Sequence, residues 1–252
     1  MKRILIVSVF TLMLSAVCFW IVKLWGQSQG YPEYKHPMFT AQTTPIEFIK
    51  PSYENLITTL KGPQNIYLDV ATTLDQKLVI ANRAWALNEK TLRNQNYEDV
   101  KKDVILLSEY KDHLKVRKII FNLVENAQAG HEIFFHNIKE IGLGKGENFI
   151  VTSPYEALIK ALKEIQPALI FGSTQPEILK ILAMNSMYVV EATNIRADVI
   201  IHPIYVRKQL FFTDELLKEF ARRHKRIIVG PITSAEKEKA VSYNPYGLII
   251  LN

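Results

Sequence analysis

The chain is almost without cysteine, and this absence removes several kinds of chemistry. The single cysteine among the 252 residues is Cys18, which lies inside an apolar N-terminal segment. The rest of the chain therefore has no disulfide, no thiol nucleophile and no zinc–thiolate site. A domain without cysteine is compatible with an oxidising compartment but does not establish one.

The chain also lacks the patterns of repeat proteins, phosphate-binding loops and nucleic-acid-binding surfaces. No fixed-period repeat is visible, and the glycine-rich segment GLGKGE at 142–147 lacks the spacing of a phosphate loop. The net charge is +6, and Lys2, Arg3 and Lys23 contribute three of these charges around the N-terminal segment. Elsewhere basic and acidic residues alternate, with no basic run interleaved with aromatics. We therefore expect no nucleic-acid partner.

Residues 4–22 form a long uncharged run directly after two basic residues. As a helix this run would extend roughly 28 Å, close to the hydrocarbon thickness of a bilayer. A cleaved signal peptide and an uncleaved signal anchor both have such a run. The bulky residues of SAVCFW (15–20) fit a cleavage site poorly, which favours an anchor or transmembrane helix over 1–25. Lys2 and Arg3 would then stay in the cytoplasm and the C-terminal domain would be extracytoplasmic, periplasmic in a Gram-negative cell.

Residues 26–43 are rich in Gly, Gln and Pro and have no periodicity, so they predict a linker that holds the domain away from the membrane. From Thr44 to the C-terminus, short apolar strands alternate with amphipathic helices. Such alternation is typical of right-handed β–α–β units and a parallel sheet. About seven or eight strands suit either a closed eightfold barrel or a doubly wound open sheet.

Two local patterns carry further expectations about this domain. Apolar residues between 116 and 127 recur at helical spacing, which predicts a helix over about 113–130. Ser153 with Glu156, Thr174 with Glu177, and Thr233 with Glu236 have capping-box spacing, which predicts three helix starts.

The segment YLDVATTLDQKLVIANRAW (67–85) carries the most specific motif in the chain. It contains Leu-Asp-Val, then a turn with Thr73 and Asp75, then an apolar strand; SYENL (52–56) and HNIKE (136–140) accompany it. Together these motifs resemble the glycerophosphodiester phosphodiesterase family of the phospholipase-C-like superfamily, over nearly all of residues 44–252. The resemblance implies an α/β fold, a compact (β/α)8 TIM-type barrel.

The departures from the family pattern fall where the resemblance places the chemistry. Members hold a divalent cation with carboxylates at strand ends, and a histidine pair serves as acid and base. No histidine follows the first strand here, and Asn82 stands at the second histidine position. Tyr67 and Asn137 stand at two glutamate positions, so Asp69 is the one metal carboxylate that remains. Because a hard divalent cation needs several anionic oxygens, Asp69 alone makes a poor metal site.

The residues at these positions define a candidate ligand pocket. Asp69 and Lys139, the latter at the lysine of the family's Glu-Ile-Lys strand, are either remnants of a ligand-binding mouth or a buried salt bridge with each other. The salt bridge is slightly favoured. The pocket would comprise Tyr67, Asp69, Asn82, Asn137 and Lys139, and Asp75 would shape its turn.

The motifs assign no catalytic residue. Of the six histidines, His202 is the one candidate for a substitute acid or base, because it lies near the end of the strand DVIIHP, where barrel sites form. A structural role for His202 is favoured.

Three functions remain open from the sequence. The first is a membrane-anchored pseudoenzyme that binds a ligand or an envelope partner and needs no cofactor. The second is an active phosphoric diester hydrolase, acting on glycerophosphodiesters or other phospholipid-derived substrates through a rearranged site with Mg²⁺ or Ca²⁺. The third is an assembly factor of the cell envelope that uses an outer helix face.

Overall fold

Eight parallel strands form the centre of the protein. The computed structural model describes residues 2–33, 35–39, 43–80, 92–125 and 130–252. The barrel strands within this part of the chain are β1 (Ile46–Lys50), β2 (Asn65–Thr72), β3 (Ile119–Leu123), β4 (Phe149–Thr152), β5 (Ile170–Phe171), β6 (Val199–His202), β7 (Arg226–Ile232) and β8 (Gly247–Leu251).

The strand order closes the sheet into a barrel. Hydrogen-bonded neighbours run β5-β4-β3-β2-β1-β8-β7-β6, and every pairing among these strands is parallel. The two ends of this path meet through one bridge between Gly172 and Val199. The Ser173 amide donates to the Val199 carbonyl at 2.9 Å across the same seam. The (β/α)8 TIM-type barrel is therefore confirmed, and the open doubly wound sheet is excluded.

One barrel strand lies where the sequence predicts a helix. Residues 119–123, inside the expected helix over 113–130, form β3 and pair with β2 and β4 on either side. A strand buried on both faces has no polar face, so its sequence is a continuous apolar run that imitates part of a buried helix. The helix prediction for this segment is wrong.

Residues 78–80, part of the apolar strand of the motif at 67–85, do not belong to the barrel. Residues Leu78–Ile80 pair antiparallel with the end of β2 and with the short strand Ile105–Leu106. The segment therefore extends β2 above the barrel rather than continuing the parallel order.

Helices surround the barrel, and a longer helix precedes it. They are α1 (Lys2–Ser28), α2 (Leu56–Lys61), α3 (Tyr97–Val100), α4 (Lys111–Lys115), α5 (Gly130–Glu140), α6 (Glu156–Ile165), α7 (Gln175–Ser186), α8 (Asp214–Arg222) and α9 (Lys237–Val241). Of the three predicted capping boxes, Thr233 with Glu236 forms the complete one. Thr174 caps α7 through the Glu177 amide, whereas the N-cap of α6 is Tyr155 and not the predicted Ser153.

Alternate side chains along each strand separate two apolar layers. One set fills the barrel interior: Ile46, Phe48, Tyr67, Ile120, Ile150, Ile170, Val199, Ile228 and Ile249. The other set packs under the helices, for example Phe121, whose ring lies 5.8 Å from that of Phe134 on α5. Burying one such side chain contributes about 1.5–3 kcal/mol.

Helix α1 has the length and composition of a membrane span. Residues Ser8–Ser28 are long and apolar enough to cross a bilayer by these two criteria. Between these residues, all but Phe19, Lys23 and Gly26 are exposed. The helix therefore projects away from the barrel for most of its length.

The segment after α1 packs against the N-terminal end of the barrel. The sequence predicts a linker over 26–43; in the structure α1 continues to Ser28, and Met38 is only 1% exposed. Met38 joins the interior cluster, and its carbonyl accepts a hydrogen bond from Lys118 Nζ at 2.9 Å. The described part of this segment therefore closes the N-terminal end of the barrel interior and also connects α1 to β1.

Candidate functional site

The carboxyl ends of the barrel strands bring together three polar side chains that face the interior. Lys50 ends β1, Asp69 lies in β2 and Asn122 lies in β3, opposite Asp69 in the strand register. Each follows an interior side chain by two residues, and side chains two apart in a strand point to the same face. This end of a parallel barrel is where sites form in such folds.

Asp69 is engaged on both of its carboxylate oxygens. The Lys50 ammonium lies 2.7 Å from Oδ2, and Asn122 Nδ2 donates to Oδ1 at 2.6 Å. Both distances are those of charge-assisted hydrogen bonds. Asp69 therefore pairs with Lys50, and the predicted salt bridge between Asp69 and Lys139 is wrong.

Tyr67 lies one interior position below Asp69. Its ring is buried, and the Lys50 ammonium is 4.6 Å from the ring centroid, within the range of a cation–π contact. Burial and the nearby Asp69 carboxylate raise the pKa of the Tyr67 phenol well above its ordinary value. The phenol is therefore neutral and supplies no anionic oxygen.

Two residues of the predicted pocket lie elsewhere. Asn137 and Lys139 belong to helix α5, not to a barrel strand, so their predicted strand placement is wrong. Asn137 holds the turn after β2, because its Oδ1 accepts from the Leu78 amide at 3.3 Å and its Nδ2 donates to the Gln76 carbonyl at 3.0 Å. Lys139 is exposed on the helix surface.

The sequence contained a signal for this correction. Phe134, Ile138 and Ile141 are spaced by four and three residues, which is typical of a helix face, and all three are buried. Asn82, the remaining predicted member of the pocket, lies outside the described residues. Lys50 and Asn122, which complete the observed cluster, were not singled out by the sequence. The signal for Asn122 is one polar side chain within the apolar run IIFNL.

His202 ends β6 but faces away from the barrel interior. Its ring centroid lies 4.3 Å from that of Phe211, which belongs to the apolar layer under the helices, and its Nδ1 is 2.8 Å from the Pro203 carbonyl. Burial lowers the pKa of His202, so the ring is neutral near pH 7. The geometry fits the structural role that the sequence favours.

Asp75 holds the turn after β2, as expected. Thr73 Oγ1 and the Tyr97 amide donate to its Oδ1 at 2.6 and 2.8 Å. Burial would raise the pKa of Asp75, but these bonds and the contact with Lys77 outweigh it and lower the pKa. Asp75 therefore serves the turn.

A second carboxylate, Glu125, follows β3 but does not join Asp69. It accepts hydrogen bonds from the Thr72 amide at 2.5 Å and from the Thr72 hydroxyl. Thr72 has the same parity in β2 as Val70, which packs in the layer under the helices. Glu125 thus lies on the outer side of the barrel wall.

The observed cluster does not fit a divalent metal ion. It offers one carboxylate already paired with an ammonium group, one amide and one neutral phenol, whereas Mg²⁺ and Ca²⁺ need several anionic or carbonyl oxygens. Among the described residues, no group of three or more His, Cys, Asp and Glu side chains is placed to hold a metal ion. The Lys50 ammonium instead supplies positive charge beside Asp69.

Comparison with known structures finds similar folds, whereas comparison by sequence finds no match. No protein-family model matches the chain, and no curated protein matches it by sequence. A structure from Silicibacter pomeroyi, described as a glycerophosphoryl diester phosphodiesterase, is similar with a TM-score of 0.65 and 11% identity, covering 86% of this chain and 94% of that chain.

Two further structures give the same picture. The glycerophosphodiester phosphodiesterase of Thermotoga maritima has a TM-score of 0.56 and 14% identity, covering 83% of this chain and 96% of that one. A phosphodiesterase of Oleispira antarctica, in complex with its product sn-glycerol-3-phosphate, has a TM-score of 0.53 and 10% identity, covering 82% and 92%. The chain therefore has the barrel fold of the glycerophosphodiester phosphodiesterases, the family whose motifs its sequence resembles.

Proposed function

We propose that this chain is a membrane-anchored, extracytoplasmic pseudoenzyme whose phosphodiesterase-like barrel binds a ligand or an envelope partner without hydrolysing a phosphodiester. The observation that carries the proposal is the ion pair between Lys50 and Asp69, at 2.7 Å. The ammonium group stands beside the one carboxylate that the resemblance assigns to a metal ion.

The chemistry of hydrolysis explains why this pair matters. Cleaving a phosphodiester requires an electrophile to neutralise developing charge and groups that move protons. Lys50 is a cation but not a Lewis acid, so it cannot bind a water and lower the pKa of that water as a metal ion does. Neither a histidine nor a second carboxylate contacts Asp69 within the described residues. Each missing acid or base removes about 10²–10⁴-fold in rate.

The anchoring and orientation rest on α1 and its flanking charges. Ser8–Ser28 has the length and composition of a membrane span, and Lys2 and Arg3 precede the apolar run. Basic residues on the short N-terminal side favour its retention in the cytoplasm. The barrel would then lie on the far side of the membrane, attached through residues 4–22.

The catalytic part is tested with the purified full chain in detergent. We expect no turnover of glycerophosphodiesters above background with Mg²⁺ or Ca²⁺, and the same result for Asp69→Asn. Metal-dependent turnover that Asp69→Asn abolishes would refute the pseudoenzyme and establish the rearranged hydrolase.

The anchoring part is tested separately in intact cells. We expect the chain to resist extraction from membranes by alkaline carbonate. A reporter that functions only outside the cytoplasm, fused to the C-terminus, should be active. A chain of reduced mass that appears in the soluble fraction would show a cleaved signal peptide instead of an anchor.

A further inference from the structure

The end of α1 is fixed to the amino-terminal face of the barrel, the face formed by the loops that enter the strands. Arg222, at the end of α8, donates to the carbonyls of Gly26 at 3.2 Å, Gln27 at 3.3 Å and Gln29 at 2.9 Å. Gly26 approaches the loop 190–192 so closely that a Cβ atom there would lie 2.4 Å from the Glu191 carbonyl carbon. The helix and this face are therefore held together.

An ion pair gives the height of this face relative to the apolar part of α1. Lys23 is the first charged residue after the uncharged run 4–22, and its ammonium lies 3.9 Å from Glu191. A lysine at this point in a span marks the boundary between hydrocarbon and headgroups. The loop that carries Glu191 thus lies at the bilayer surface if α1 is the anchor, so this inference rests on the proposed anchoring.

The same face carries the most exposed large apolar side chains of the described barrel. Outside α1 these are Val116 at 83%, Tyr188 at 74% and Met187 at 61%. All three lie between the end of a helix and the start of the next barrel strand. Tyr188 is three residues from Glu191 in the chain, so the two residues are at most about 10 Å apart.

The backbone at Tyr188 adds a second observation. Its φ is +57°, a left-handed conformation that glycine or asparagine adopts far more readily at the end of a helix. The turn is closed by a hydrogen bond from the Val189 amide to the Met184 carbonyl at 3.0 Å. A bulky aromatic at this position costs backbone energy, and with 74% of its surface exposed Tyr188 packs little against the described residues to offset that cost.

Basic residues accompany the apolar ones on this face. Lys61 and Lys115 end helices, and Lys145 lies in the loop before β4; all three side chains are exposed. Lys115 directly precedes Val116. A pattern of exposed lysines beside exposed apolar and aromatic side chains is typical of surfaces that lie in the interface of an anionic membrane.

We propose that the amino-terminal face of the barrel docks on the anionic bilayer that holds α1, with Tyr188, Met187 and Val116 in the interface and Lys61, Lys115 and Lys145 on the headgroups. The barrel mouth with Lys50 and Asp69 then points away from this membrane. A ligand reaches the mouth from the aqueous side, not from the host bilayer.

The test uses single-cysteine reporters in the full chain with Cys18→Ser. An environment-sensitive fluorophore is placed at Tyr188→Cys, at Val116→Cys and, as a matched control, at Leu74→Cys, an exposed apolar position at the mouth. The chain is reconstituted in nanodiscs with phosphatidylglycerol or with phosphatidylcholine alone, and a headgroup-attached quencher is added.

We expect quenching at 188 and 116 but not at 74, and about 2-fold or more stronger quenching at 116 in the anionic discs. The triple change Lys61→Glu, Lys115→Glu and Lys145→Glu should remove this lipid dependence. Reversing Lys101, Lys102 and Lys208, which are exposed elsewhere, should leave it unchanged.

Two kinds of failure are distinguishable. Flotation of the same variants reconstituted with lipid vesicles reports the anchor, and a chain that does not float refutes both the anchor and the docked face. A chain that floats but shows equal quenching at 188, 116 and 74, or no effect of anionic lipid, refutes the docked face alone.

Discussion

The ion pair between Lys50 and Asp69 predicts a measurable coupling within the barrel mouth. Two unit charges 2.7 Å apart attract by about 1.5 kcal/mol in water and about 6 kcal/mol at an effective dielectric constant of 20. The two side chains are 26% and 17% exposed, so desolvation offsets part of this attraction. Exposed ion pairs contribute about 0–1 kcal/mol, and breaking a buried pair costs about 3–5 kcal/mol. For this half-buried pair we expect a coupling energy of about 1–3 kcal/mol.

A double-mutant cycle with Lys50→Met and Asp69→Asn isolates this coupling. Asn at position 69 keeps an oxygen that accepts the hydrogen bond from Asn122, so the change removes charge and little else. Thermal unfolding of the full chain in detergent, followed by near-UV circular dichroism, gives the stability of each variant. One kcal/mol corresponds to about 2–4 °C for a domain of this size, so the coupling is equivalent to about 2–12 °C in Tm.

The chain offers a matched control. Lys237 and Glu47 also lie 2.7 Å apart, but their side chains are 44% and 46% exposed. The cycle with Lys237→Met and Glu47→Gln should give a coupling of about 0–1 kcal/mol. If the coupling between Lys50 and Asp69 is no larger than that of the control pair, the argument that Lys50 is a built-in counter-ion fails.

Three further predictions concern buried groups. Burial and Asp69 raise the pKa of Tyr67, so the neutral phenol contributes fully to stability below about pH 10 and this contribution is lost as the pH rises further. Tyr67→Phe should leave Tm unchanged at pH 7 and reduce the fall of Tm above pH 10. An alkaline fall identical to that of the unchanged chain would contradict this. Burial lowers the pKa of His202, so the neutral ring contributes to stability above about pH 6.5 and this contribution is lost as the pH falls further. His202→Phe, which keeps a ring against Phe211, should flatten the fall of Tm at acid pH. An unchanged pH profile of Tm would exclude His202 as the cause of the acid fall. The buried guanidinium of Arg223 lies 2.5 Å from Glu219, so Arg223→Met should lower the free energy of unfolding by about 3 kcal/mol, and a loss below about 1 kcal/mol would show that Arg222 suffices to pair Glu219.

The structure changes which residues form the candidate site more than it changes the fold. Tyr67 and Asp69 lie in the predicted cluster because both belong to one strand with a clear apolar pattern. Asn137 and Lys139 do not, since the predicted strand HNIKE is part of helix α5. The true neighbouring strand, IIFNL, contributes Asn122 instead.

The sequence by itself determined the features that depend on neighbouring residues. These include the apolar run that becomes α1, the alternation that becomes an eight-stranded barrel, the capping box of Thr233 and Glu236, and the turn held by Asp75. Periodicity, capping and turn chemistry act over a few residues, so they are visible in the chain.

Only the tertiary structure decided what surrounds Asp69 and where α1 leaves the barrel. Lys50 and Asn122 are far from Asp69 in the chain and meet it because β1 and β3 flank β2 in the sheet. The strand that carries Asn122 is buried on both faces, so it has no alternation to distinguish it from a helix. The contacts of Arg222 with Gly26 and of Lys23 with Glu191 join segments more than 160 residues apart, and no local pattern predicts such contacts.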